Sequence, residues 1–231
     1  PIFKIWRDND GLTADIAWRR FSLTLLSNES KLAAYLVRFL AREDKQYANS
    51  LKLVHRRPAN VKRVDKYKKD NRRIHELVLH GLKRLSRTRP DEALETLNKY
   101  LEIHHFEQEA LTETYVYIAK QLANSGDKLN QIDDLPVNLH EHADLVEARI
   151  RMALKQQDWS QVLILINLLP EESQLHPRWE FWKARVLVGS VDPADRDIAL
   201  RSFSRLAELR SFYGFLSADR LQQEYNYVDE P

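Results

Sequence analysis

Cysteine is absent from the 231 residues, which excludes disulfides and thiolate metal sites. That absence suits the periplasm and the cytoplasm equally. Glycine is scarce, at 5 residues, so the chain is poor in turn and strand chemistry. No run approaches the ~20 consecutive apolar residues of a membrane-spanning helix. No signal segment is present, but the first residue is Pro1, not Met, which suggests a processed or trimmed product. A net charge of +2 names no partner for the molecule as a whole. What remains is 43% hydrophobic and 30% charged residues, a helix-rich composition. The length suffices for a substantial core, in one globule or an elongated repeat array.

Apolar residues recur at helical spacing along nearly the whole chain. Asp15 to Leu26 carries Ile16, Trp18, Phe21, Leu25 and Leu26, the broad stripe of a buried helix. Ser27-Asn28-Glu29 interrupts it and can cap a second helix with Leu32, Tyr35, Leu36, Phe39 and Leu40. Pro58 punctuates a third element. Ile74, Leu77, Val78, Leu82 and Leu85 mark a helix stopped before Pro90, and Leu94, Leu97 and Leu101 mark the next. Leu111 to Leu122 runs to a stop at Asn124-Ser125-Gly126. Further helices are predicted near 139–156, 158–168, 177–189, 194–209 and 211–226, with Pro170, Pro177 and Pro193 in the gaps. No segment alternates like a strand. Hairpins recurring roughly every 30–40 residues predict an all-α, right-handed α-superhelix of stacked helix hairpins, a tetratricopeptide-like solenoid. Residues 1–231 are read as a single superhelical segment, with its weakest joint from Gly126 to Pro136.

Charge is concentrated in one place. Between Lys52 and Arg89 stand 14 Lys and Arg against Asp65, Asp70 and Glu76, a local net of +11 that leaves −9 for the remainder. Arg56, Arg57, Lys62, Arg63, Lys69, Arg72 and Arg73 are the candidate patch for a polyanion, bound through counterion release. A solvated helix face accounts for such a run equally well. His104-His105, and His140 with His142, invite a metal ion. Adjacent histidines on a helix diverge by about 100°, however, and i, i+2 chelates poorly there. With H-E-x-x-H also absent, surface or capping roles are expected, and no metal or cofactor ligand is nominated. Trp179, Trp182, Phe212, Tyr213 and Phe215 could stack on sugars. Trp179 and Trp182 lie three apart on one helical face, which favours the core of a hairpin.

Pro177-Arg178-Trp179-Glu180-Phe181-Trp182-Lys183-Ala184-Arg185 and Arg210-Ser211-Phe212-Tyr213-Gly214-Phe215-Leu216-Ser217-Ala218-Asp219-Arg220-Leu221 resemble paired signatures of the soluble lytic murein transglycosylases. Leu145 to Leu154 and Trp159 to Pro170 are similar to that family as well, so the resemblance covers about 140–227 well and the first half weakly. In that family these helices close the superhelical region preceding a lysozyme-like catalytic domain. The resemblance implies that Trp179, Trp182, Arg185, Phe212, Tyr213, Phe215 and Arg220 are signature residues of structural type. It also implies a parent enzyme in a Gram-negative-type periplasm that cleaves peptidoglycan glycan strands to a 1,6-anhydro product. There a glutamate followed by serine acts as acid and then base, with a raised pKa in a partly apolar cleft. Glu172-Ser173 carries that pair here, but in a linker and without a glycine-rich cleft segment after it, so no catalytic residue is nominated. The chain is therefore expected to be a non-catalytic segment that shapes a ring and positions glycan strands or the missing catalytic domain. For an envelope protein the basic run would meet anionic peptidoglycan stems or an acidic partner, and nucleic acid is set aside. The alternative is a stand-alone helical-repeat scaffold that binds a protein or a polyanion.

Overall fold

A computed structural model describes residues 13–125, 132, 135, 136, 139 and 141–227. Two compact units divide the chain, 1–121 and 122–231. All regular structure among the described residues is helical.

The first unit begins with α1 (Ala14–Leu26), whose N-terminus is capped by the Thr13 hydroxyl accepting the Ile16 amide N–H at 3.3 Å. Its inner stripe is Ala17, Trp18, Phe21 and Leu25. Full burial of side chains the size of Phe21 stabilises by about 1.5–3 kcal/mol each. Asn28, in the left-handed region at φ 62°, turns the chain into α2 (Ser30–Leu36). The helix predicted through Leu40 tightens after Leu36 into a 3-10 turn, Val37–Phe39. Next come α3 (Asp44–Arg56), 3-10 turns at Pro58–Lys62 and Val64–Tyr67, α4 (Arg72–Leu85), α5 (Pro90–Leu101) and α6 (Gln108–Ser125). The division between the units falls within α6 rather than in the Gly126–Pro136 stretch, most of which lies outside the described residues.

Helix α1 packs on α2 and α3, α3 on α4, and α4 on α5. Asn71 caps α4 by accepting the Ile74 N–H at 3.1 Å, and Pro90 starts α5 at a position that needs no donor. The Tyr100 hydroxyl donates to the Val61 carbonyl at 2.7 Å, tying α5 to the first 3-10 turn. Gly81 permits the approach of α4 to α3. A Cβ there would lie 2.5 Å from Val54 Cγ1 and 2.9 Å from Val61 Cβ.

The second unit contains α7 (Ala143–Gln156), α8 (Trp159–Asn167), the one-turn α9 (Glu171–Gln174), α10 (Pro177–Leu187), α11 (Pro193–Ala207) and α12 (Phe212–Leu221). Asp158, Asp192 and Ser211 cap α8, α11 and α12 through side-chain oxygens. Val146, Ile150, Val162, Ile166 and Trp179 form one core, joining α7, α8 and α10. Phe181, Leu187, Ala199, Phe203 and Leu206 form the next, joining α10 and α11.

Two boundaries depart from the predicted ones. Helix α7 begins at Ala143, not near 139. Helix α12 stops at Leu221 because Gln222 adopts a left-handed conformation, φ 57°. Beyond it Tyr225 and Tyr227 fold back against Phe215, with centroids 5.2 and 6.0 Å away. The Tyr225 hydroxyl donates to Asp219 at 2.6 Å. Tyr225, four residues after Leu221, continues the helical spacing in sequence, but its contact with Phe215 needs a turn.

Candidate functional site

In the first unit a groove of about 1280 Å³ runs between α1, α4 and the segment entering α6. Arg73 organises one wall. Its Nε donates to Asp44 Oδ1 at 3.0 Å, and its Nη2 donates to Asp15 Oδ1 at 2.9 Å and to Asp44 Oδ2 at 3.3 Å. The same guanidinium lies 4.5 Å from the ring centroid of Trp18, whose indole N–H donates to Glu76. Burial opposes the charge on Arg73, but the hydrogen bonds to Asp44 outweigh it and raise the pKa. Arg19, Arg72 and Lys83 line the groove together with Asp15, Glu76 and Glu107 and with the apolar Leu23, Leu26 and Phe106. A groove of mixed charge suits a zwitterionic or peptide-like ligand better than a uniform polyanion.

Four side chains gather at the end of this groove. Asp70, just before α4, meets His75 from its first turns and His104 and His105 from the loop between α5 and α6. His75 Nε2 contacts Asp70 Oδ1, His104 Nδ1 is 3.4 Å from the same oxygen, and His105 Nδ1 is 3.2 Å from Oδ2. The His104 side chain has no exposed surface, whereas that of His105 is 96% exposed. Hydrogen bonds from His105 and His75 hold the Asp70 carboxyl down, at about 2. One ligand atom each from Asp70, His75 and His104 lie within 4.8 Å of one another. The divergence of adjacent histidines on a helix does not apply here, because α5 ends at Leu101 and both rings leave a loop. A signal was available: the apolar period of Leu94, Leu97 and Leu101 ends before His104. His140 lies outside the described residues, and His142 is exposed at the start of α7.

The candidate polyanion patch divides by chemistry. Arg56, Arg57, Arg63 and Lys69 are exposed and have no ion pair among the described residues. Lys62 instead pairs with Glu92 at 2.8 Å and Arg72 with Glu76 at 3.3 Å, while Arg73 is committed to Asp44 and Asp15. Arg56 sits in the last turn of α3, where a cation also complements the helix dipole.

In the second unit Trp179 is 2% exposed and lies within the first core, while Trp182 is partly buried against both cores. Arg185 lies 5.9 Å over the Trp159 ring, and Arg220 lies 5.7 Å over Phe203. Burial and the neighbouring Arg185 lower the pKa of Arg220. Tyr213 packs on Phe181, with centroids 5.4 Å apart. Phe212 is 68% exposed, so it is not a core residue. Phe215 is half-buried beside Tyr225. Glu172 is exposed on the single turn of α9.

No family model matches the sequence. Over 81 residues, 35% of this chain and 12% of the relative, it is 32% identical to a soluble lytic murein transglycosylase of Salmonella typhimurium. Among solved structures it is similar to an inactive mutant of lytic transglycosylase Slt from Pseudomonas aeruginosa. That match has 26% identity and a TM-score of 0.78, and covers 96% of this chain and 36% of the other. The 70 kDa soluble lytic transglycosylase of Escherichia coli matches with the same TM-score at 18% identity, covering 97% of this chain and 36% of that one. The chain thus spans little more than a third of the solved chains and 12% of the curated relative. Both signature segments form helices, and over most of its length the chain is similar in its all-α fold to part of these lytic transglycosylases.

Proposed function

We propose that this chain is a non-catalytic helical segment of a periplasmic lytic murein transglycosylase, in which it shapes the path of peptidoglycan strands and positions the catalytic domain. The observation that carries this reading is the match to the Pseudomonas Slt structure over 96% of this chain, against 36% of that one. The exposure of Glu172 on a one-turn helix adds support, because a general acid at neutral pH needs an enclosed, partly apolar setting. The mixed-charge groove beside Arg73 suits peptide stems, which carry both amine and carboxylate groups. Among the described residues no helix is long and apolar enough to cross a membrane.

Mass spectrometry of purified sacculi incubated with the chain tests the proposal, alongside co-sedimentation of the chain with the sacculi. The expected outcome is binding without release of 1,6-anhydro-muropeptides. Release that survives repurification and disappears in Glu172→Gln would overturn it.

A further inference from the structure

We propose that Asp70, His75 and His104, with His105 as an accessible fourth donor, form a binding site for a divalent transition-metal ion of the zinc class. This inference stands apart from the family reading and rests on the hydrogen-bonding state of His104. The Nε2 of that buried ring lies 2.8 Å from the Tyr67 carbonyl oxygen. A carbonyl only accepts, so Nε2 carries the hydrogen. That leaves Nδ1 facing Asp70 Oδ1, 3.4 Å away. A lone pair facing a carboxylate oxygen is repulsive unless a cation or a proton lies between them. The ring cannot turn to water, since its side chain is fully buried and stacked on Tyr100 with centroids 5.4 Å apart.

Distances favour a metal ion. Zinc bonds to imidazole nitrogen and carboxylate oxygen are about 2.0–2.1 Å, which at tetrahedral angles puts donor atoms roughly 3.3 Å apart. The observed separations are 3.4 Å for His104 Nδ1 to Asp70 Oδ1 and 3.2 Å for His105 Nδ1 to Asp70 Oδ2. His75 Nε2 and Asp70 Oδ1 are in direct contact and would part slightly around the ion. Imidazole and carboxylate donors suit zinc and its neighbours rather than calcium or magnesium. The Tyr67 carbonyl supplies the outer hydrogen bond that orients a metal-binding histidine. Phe106 shields one side, with its centroid 4.8 Å from that of His75 and 5.5 Å from that of His104. A bound ion would fasten the turn between α5 and α6 to the start of α4, setting the groove wall that His75 and His105 share.

Calorimetric titration of the metal-free chain with Zn²⁺ in a non-chelating buffer near neutral pH tests the site, supported by the visible spectrum of the Co²⁺ form. The expected result is one ion per chain, tetrahedral Co²⁺ absorption and a melting temperature raised by Zn²⁺. Asp70→Ala and His75→Ala remove donors outside the deep core and should each weaken binding at least ~10-fold. His142→Ala, an exposed histidine elsewhere, should bind as the parent does. Absence of uptake would overturn the proposal. Uptake unchanged in Asp70→Ala and His75→Ala would overturn it too.

Discussion

The imidazoles of His55 and His80 lie in nearly parallel planes, 7° apart, with centroids 5.3 Å apart, and His55 Nδ1 lies 3.2 Å from His80 Nε2. One nitrogen must donate and the other accept, so the arrangement requires at least one neutral ring. Burial, His55 and the cations Arg84, Arg87 and Lys83 push the pKa of His80 down to about 3. Burial, with Arg84 and Arg87, lowers that of His55 too.

Acid should therefore unfold this chain earlier than its carboxylates require. A histidine with a depressed folded pKa contributes stability that is present above the unfolded value, near 6.5, and is lost as pH falls toward 3. For His80 the loss should reach on the order of 2 kcal/mol by pH 5. Asp70, held at about 2, loses its contribution only below about pH 4, so the two windows are separable. Urea unfolding at pH 7 and pH 5 gives the measurement, and His80→Gln should flatten the difference. An equally steep dependence in that variant would refute the assignment.

Gly214 is the second test. A Cβ at this position would stand 2.0 Å from the Leu209 carbonyl oxygen and 2.9 Å from that of Leu206. Both are backbone atoms, so relief requires moving the start of α12 off the end of α11. Gly214→Ala should cost at least about 1–3 kcal/mol, as for other overpacked sites. Gly189→Ala, whose nearest neighbour would be at 3.5 Å, should stay near the parent. Urea midpoints for the pair decide this, and equal values would show that the turn yields freely.

Trp179 and Trp182 separate by burial. Trp179→Ala should destabilise by about 3–5 kcal/mol, because the 2%-exposed ring fills a core built by three helices. Trp182 is only partly buried and stacks on Trp159, with centroids 6.4 Å apart, so its truncation should cost less, about 2 kcal/mol. Thermal melts of the two variants measure the order. A reversed order would move the structural weight of the signature to Trp182.

Helix starts were legible where a proline stood first, as at Pro90 and Pro177. The caps at Asp158, Asp192 and Ser211 were not singled out, and the one expected from Ser27-Asn28-Glu29 makes no side-chain bond at the start of α2. The end at Gln222 was not legible, because Tyr225, four residues after Leu221, prolongs an apolar spacing while its ring folds back on Phe215. Asp70 was not seen as a partner of His104, which was weighed only beside His105, for a different reason. Their meeting depends on the packing of α4 beside α5, which sequence distance does not reveal. The basic run was visible as charge, but its division into paired and unpaired members rests on acids as distant as Asp15 and Glu92.

That division sets the final test. Sequence pattern alone suggests that reversing Arg56, Arg57, Arg72 and Arg73 to glutamate would leave the helices untouched. The structure separates these positions. The Arg73 side chain is 14% exposed and holds Asp44, itself 7% exposed, so Arg73→Glu would set two carboxylates together in a largely buried site. Breaking such a pair is destabilising by about 3–5 kcal/mol when fully buried, and less here. Arg73→Glu should thus lower the melting temperature whether or not the patch binds anything. Arg56→Glu, Arg57→Glu, Arg63→Glu and Lys69→Glu touch exposed cations without ion pairs among the described residues, so their combination should keep the parent melting temperature and helical spectrum. If the run is a working patch, that combination should weaken retention on sacculi at low salt. Parent binding should itself decline as salt screens the contacts. Equal retention of parent and quadruple variant at every salt concentration would reduce these four cations to solvated surface, leaving the mixed-charge groove to account for whatever binding the chain shows.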